Sequence, residues 1–95
     1  MRAFQVLPDA QPAAIRTVDT PEPKEGEVRL EIGACGLNFA DLLMIKGEYQ
    51  DTPEPPFTLG MEVAGTIEAC GPGVDKALLG RRVAVFGGQG GLADY

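Results

Sequence analysis

Few side chains in this chain can do chemistry, and their types exclude more than they allow. The candidates are two thiols, Cys35 and Cys70, an amide and a carboxylate three residues apart at Asn38 and Asp41, a phenol at Tyr49, and the pair Met61-Glu62. His, Ser and Trp are absent. A Ser-His-Asp or Cys-His nucleophile therefore cannot be assembled, nor can a His-ligated metal site. Zinc held by sulfur wants closely spaced cysteine pairs, and no CxxC occurs. Only an improvised site using Asp41 or Glu62 survives that count. The bland readings stand beside the chemical ones. Asn38 and Asp41 have the spacing of a helix cap and a first-turn acid, Tyr49 could cover a proline-rich loop, and Met61 could be core.

Bulk properties narrow the class further. Asp and Glu number 14 against 8 Lys and Arg, for a net charge of −6. Such an acidic chain is poorly suited to neutralising phosphates, so nucleic acid is not an expected partner. No apolar run approaches the ~18 residues that span a bilayer, so a membrane partner is not expected either. The opening residues Met1–Pro8 lack a continuous apolar stretch of the kind found in a secretion signal. The expected compartment is thus the cytoplasm, with both cysteines reduced and packed as small apolar residues. Glycine (13) and proline (8) are abundant, which suits a turn-rich β fold better than a helical bundle.

The elements that must position these groups follow from periodicity. Met1–Leu7 reads as a short strand ended by Pro8-Asp9, and Ala13–Val18 as a second strand whose partner the sequence leaves open. Thr20–Glu27 is a charged, proline-rich connector. Glu27–Ala34 alternates most clearly, with Val28, Leu30, Ile32 and Ala34 on one face, and Gly33 and Gly36 suggest a bulge or a close backbone approach. Asn38–Gly47 then changes period to a short helix, with Asn38 as N-cap, Asp41 at the third helical position and Gly47 closing it. Glu48–Phe57 holds three prolines and reads as loop. Thr58–Ala69 returns to strand, with Met61, Val63, Gly65, Ile67 and Ala69 on one face. Gly71-Pro72-Gly73 is a turn, and Arg82–Phe86 is a last strand before a glycine cluster. The fold class is mainly β, a small barrel or sandwich with one short helix.

Gly88-x-Gly90-x-x-Ala93 formally matches a dinucleotide-binding fingerprint. That motif works by aiming a helix N-terminus at the pyrophosphate, with an acid about 20 residues on for the ribose. Only Asp94 and Tyr95 follow Ala93, so a hairpin loop is the expected structure.

Gly36-Leu37-Asn38-Phe39-Ala40-Asp41, then Leu59-Gly60-Met61-Glu62-Val63-Ala64-Gly65, carry a resemblance. With Pro56-Phe57, Gly71-Pro72-Gly73-Val74 and Gly80-Arg81-Arg82-Val83, they are similar to the N-terminal GroES-like domain of medium-chain dehydrogenases/reductases. More narrowly they resemble the zinc-independent quinone oxidoreductase branch. The likeness covers nearly the whole chain. Zinc-containing members carry Gly-Ile-Cys-Gly-Thr-Asp and Gly-His-Glu, whose Cys and His bind the metal. Here Asn38 and Met61 stand in those places, and an amide and a thioether do not replace a thiolate and an imidazole on Zn²⁺. The resemblance implies a partly open β-barrel over residues 1–95, incomplete by comparison with the family. It implies hydride transfer from NADPH to a quinone or conjugated enone without zinc. Asn38, Tyr49 and Asp41 would line the substrate and cofactor cleft, with Glu62 and Met61 in support.

Members of that family are longer and carry a Rossmann cofactor domain, for which this chain has no counterpart. The expectation is a fragment or one piece of a larger molecule that alone neither holds NADP(H) tightly nor reduces quinones. A homo-oligomer is compatible with it. The alternative is a non-catalytic GroES-like interaction module or co-chaperonin-like protein, for which the proline-rich Gln50–Phe57 segment is a poor mobile loop. A fragment of a zinc alcohol dehydrogenase is a third reading, weakened by the missing His.

Overall fold

The alternation of Val28, Leu30 and Ile32 produces the nine-residue strand Val28–Gly36, which pairs antiparallel with another nine-residue strand, Glu62–Cys70. In the computed structural model, which describes all 95 residues, these are β3 and β5. The preceding strands are β1 (Arg2–Val6) and β2 (Ala14–Thr17). Between β3 and β5 lie the helix α1 (Phe39–Ile45) and a two-residue strand, β4 (Phe57–Thr58). A single 3₁₀ turn at Lys76–Leu78, unforeseen from the sequence, leads into β6 (Arg82–Phe86).

Two three-stranded antiparallel sheets result, in the orders β2-β1-β4 and β3-β5-β6. They stay open rather than closing into a barrel, and no helix is long and apolar enough to cross a membrane. The expected bulge is real. Ile32 faces Gly65 and Ala34 faces Ala64, so Gly33 is the extra residue and the one-sided alternation of β3 runs only as far as Ile32.

Two sequence expectations need correction. Thr58–Ala69 is not one strand: β4 belongs to the first sheet, β5 to the second, and Leu59-Gly60-Met61 carries the chain between them. Gly60 makes the passage at φ +105°, where a Cβ would stand 2.5 Å from the Leu92 nitrogen and 2.8 Å from the Cys35 sulfur. The glycine cluster is not a hairpin loop either, because no strand returns beside β6. The chain crosses to the first sheet, where Ala93 bridges Ala3. Phe4 N–H donates to the Leu92 carbonyl (2.8 Å), Leu92 N–H to Leu59 (2.8 Å), and Ile32 N–H to Asp94 (3.0 Å). These residues stitch the two sheets together.

The core is small, with 12 of 95 residues buried. Its centre is Val6, Met44, Phe57, Leu59 and Met61, with Phe4, Ala40, Tyr49 and Leu92 packed against it. It lies where α1, the first sheet and the Gly60 passage meet. Both cysteines are free and half-buried.

Candidate functional site

The start of α1 is built as the sequence predicts. Asn38 is extended (φ −123°, ψ 153°) and its N–H donates to Asp41 Oδ2 at 3.0 Å, while Asp41 N–H returns a bond to the Asn38 carbonyl at 3.0 Å. Asp41 does more than cap. Its Oδ1 accepts the Gly60 N–H at 3.2 Å, so one carboxylate, 5% exposed, fastens the helix start to the passage between the sheets. At the other end Gly47 (φ +71°) donates to the Met44 carbonyl at 3.0 Å and turns the chain toward Tyr49.

The Asn38 side-chain nitrogen takes no part in this cap. This Nδ2 is buried and has no hydrogen-bond partner within the chain, whereas buried amide donors nearly always find acceptors. Asn38 lines an apolar cavity of about 460 Å³ with Phe4, Leu37, Leu42, Ile45 and Leu92. Tyr49 and Met61 line a different one of about 170 Å³, with Met44, Phe86, Gly87 and Gln89. The structure thus joins Asn38 to Asp41, and Tyr49 to Met61, and sets the two pairs on different cavities. Glu62 is exposed, and its side chain lies over Gly36, occupying the space a Cβ there would take. Phe86 and Gln89 escaped the sequence reading. The only trace of them was an aromatic residue ending a strand at a glycine run.

Cys35 sits beneath this corner, its sulfur within about 3 Å of where Cβ atoms on Gly60 and Gly91 would fall. Burial pushes its thiol pKa up, and the charges of Asp41 and Glu62 push it further, so it is protonated and unreactive at neutral pH. No three His, Cys, Asp or Glu side chains come together in a way that could hold a metal ion.

The glycine crossover could cradle phosphates only if its amides were free. They are engaged: Gly87 and Gly88 donate to the Met61 carbonyl (2.8 and 3.2 Å), Gly90 to Thr58 (2.9 Å) and Gly91 to Gly60 (2.9 Å). A further cavity, about 390 Å³, opens between the proline-rich connector and the second sheet. Its one cation, Arg29, is occupied by Glu68, by Glu22 (3.5 Å) and by the Pro21 carbonyl (3.0 Å), with the Tyr95 ring 5.6 Å away.

Comparison with known proteins adds a lineage to this geometry. Residues 24–95 match the alcohol dehydrogenase GroES-like domain. A quinone oxidoreductase-like protein 2 from Bos taurus is 40% identical over 85 residues, covering 88% of this chain and 24% of that protein. The quinone oxidoreductase of Thermus thermophilus, solved alone and with NADPH, superposes with a TM-score of 0.80 at 41% identity. That match covers 99% of this chain and 28% of that one. The human synaptic vesicle membrane protein VAT-1 homolog-like protein gives a TM-score of 0.87 at 32% identity, over 99% and 31%. The chain spans less than a third of each.

Proposed function

The chain belongs to the alcohol dehydrogenase GroES-like domain family, within the medium-chain dehydrogenases/reductases, and on that premise we propose that it is the substrate-side domain of a zinc-independent, NADPH-dependent quinone or enone oxidoreductase of the cytoplasm. The observation that carries this reading is the unpartnered Asn38 Nδ2, a buried donor at the position where zinc-containing relatives place a metal-binding Cys. A donor can orient a carbonyl or a ribose hydroxyl by a hydrogen bond, which is the task left over when no metal polarises the acceptor.

The separation of the two cavities suits two partners. Asn38 would face the nicotinamide end of NADP(H), and Tyr49 the flat acceptor. When bound, the cofactor supplies the hydride; the chain's own residues orient and exclude water. Asp41 keeps Asn38 in place by holding both its N–H and the Gly60 passage. The residues present fit the nicotinamide end only. The engaged amides of the glycine crossover leave nothing for the pyrophosphate, so these 95 residues by themselves bind NADPH weakly and do not turn over.

The test is a chimera in which this chain replaces the corresponding domain of the Thermus thermophilus quinone oxidoreductase. It is expected to reduce a quinone with NADPH in the presence of a chelator, and Asn38→Ala to lower kcat/KM by roughly 10- to 100-fold. A folded, NADPH-binding chimera that needs zinc, or that reduces neither quinones nor enones, overturns the reading.

A second reading, a non-catalytic interaction module, draws on the outer face of α1. Leu37 (78% exposed), Phe39 (74%) and Leu42 (55%) form an apolar surface there with Ile45. Pull-down of a stable partner by the chimera, kept in its Asn38→Ala form and lost on Phe39→Asp, would favour it.

A further inference from the structure

Phe86 ends β6, the outer strand of the second sheet, and is 69% exposed. An aromatic ring held in solvent on a rigid strand forgoes the burial such a side chain normally gains. Its place in the fold gives that exposure a purpose. Phe86 lines the same cavity of about 170 Å³ as Tyr49, although 36 residues of chain separate the two. Tyr49 comes from the turn after α1, and Phe86 from the far edge of the other sheet. Met44 and Met61, both buried in the core, line the same cavity. Thioethers make favourable contacts with aromatic faces and edges, and adapt to the ring they meet.

The walls of this cavity are mixed: Tyr49, Phe86, Met44 and Met61 supply the apolar part, and Asp51 and Gln89 the polar part. The Gly87 and Gly88 amides are turned inward onto the Met61 carbonyl. Thr52 Oγ1 donates to the backbone carbonyl of Tyr49, not to its ring hydroxyl. Neither the Tyr49 hydroxyl nor the Gln89 side-chain amide is engaged by another group of the chain, so both can donate to a ligand's oxygen atoms, with the Asp51 carboxylate at the same cavity. The volume is below the roughly 300 Å³ of a site that encloses a drug-sized molecule, which limits the occupant to one ring.

We infer that Phe86 is a specificity-determining residue, the second aromatic wall of a slot that selects a flat, conjugated carbonyl ring over a puckered one. This rests on the proposed reductase reading and deepens it by assigning the acceptor's shape to Phe86 and Tyr49 together. Stacking against two aromatic walls rewards planarity, whereas Met44 and Met61 alone would accept any apolar ring of that size.

The experiment uses the 95-residue chain and two probes. One is tetramethyl-1,4-benzoquinone, flat and without a free ring position for a thiol to attack. The other is 3,3,5,5-tetramethylcyclohexanone, saturated and puckered. Binding is followed by NMR shifts of the Met44 and Met61 methyl groups. The flat probe is expected to bind at least fivefold tighter than the puckered one. Phe86→Ala is expected to weaken it roughly fivefold and to erase the preference, and Phe86→Leu to erase the preference while keeping apolar contact. An exposed Phe86 makes both variants foldable, which circular dichroism verifies. If Tyr49→Ala loses binding while both Phe86 variants keep it and the preference, the inference falls and the reductase reading stands. Absence of saturable binding by the flat probe also overturns the inference. The chimera's activity decides the wider reading separately.

Discussion

Asp41 and Asp94 perform the same task in opposite surroundings. Each carboxylate gathers two distant stretches of chain: Asp41 joins the start of α1 to the Gly60 passage, and Asp94 joins the crossover segment to the first strand. Asp41 is buried and accepts only backbone N–H groups. Asp94 accepts the Arg2 backbone N–H at 2.8 Å and the Arg2 guanidinium at 3.0 Å, in the open. In a low-dielectric corner a lost acceptor leaves orphaned donors behind, while at the surface water replaces it. The architecture accordingly places the buried clamp under Asn38, with its unpartnered amide, and the exposed one at the rim.

The sharpest way to break this contrast is to remove each carboxylate. Asp41→Ala strands two N–H groups, one of them fully buried, and is expected to cost about 3 kcal/mol, much of the stability of so small a core. Urea denaturation of the two single variants measures it. Asp94→Ala should shift the midpoint far less, and equal losses would dissolve the distinction. Gly60→Ala attacks the other half of the buried clamp. The new Cβ meets the Leu92 nitrogen at 2.5 Å from a φ of +105°, and a loss of at least ~2 kcal/mol is expected.

The contrast also shows where sequence reasoning works. Asn38, Asp41 and Gly47 were legible because capping is local: each acts within four residues along the chain, and residue type nearly determines role. The alternation of β3 and the compact run of β6 were legible for the same reason. The break at Gly60 was not, because Met61, Val63, Gly65 and Ile67 keep period two right up to it. Only a positive φ at a point crowded by Leu92 and Cys35, both far away in sequence, reveals a change of sheet. The crossover reads as a hairpin from sequence alone because the bonds from Phe4 and Ile32 that hold it are equally long-range. Phe86 escaped because nothing in the spacing of Tyr49 and Phe86 says that two sheets will bring them to one cavity.

Cys35 reports on the buried clamp without disturbing it. Its thiol pKa is raised by burial first and by Asp41 and Glu62 after that, so iodoacetamide at pH 8 should alkylate it several-fold more slowly than an unstructured cysteine peptide. Asp41→Asn removes one of the two neighbouring charges and should speed the reaction; Asp94→Asn should leave it unchanged. Peptide mass mapping separates Cys35 from Cys70. If the Asp94 variant accelerates Cys35 as much as the Asp41 variant, the two corners are coupled through the crossover rather than independent.

The smallest effect belongs to acid. The hydrogen bonds from Arg2, and then its positive charge, hold the Asp94 carboxyl below its ordinary value. A carboxylate with a depressed pKa stabilises the fold above its unfolded pKa of about 3.9 and loses that contribution as pH falls through the lower, folded value. The clasp is therefore intact at neutral pH and opens only below about pH 4. Because both partners lie at the surface, the opening should be local: amide exchange at Asp94 and Phe4 rises while the Gly60 amide, held by Asp41, stays protected. Arg2→Gln should produce that same pattern at neutral pH. Simultaneous loss of protection at Gly60 would mean that the rim clasp supports the buried one, and that Asn38 is positioned from the surface inward.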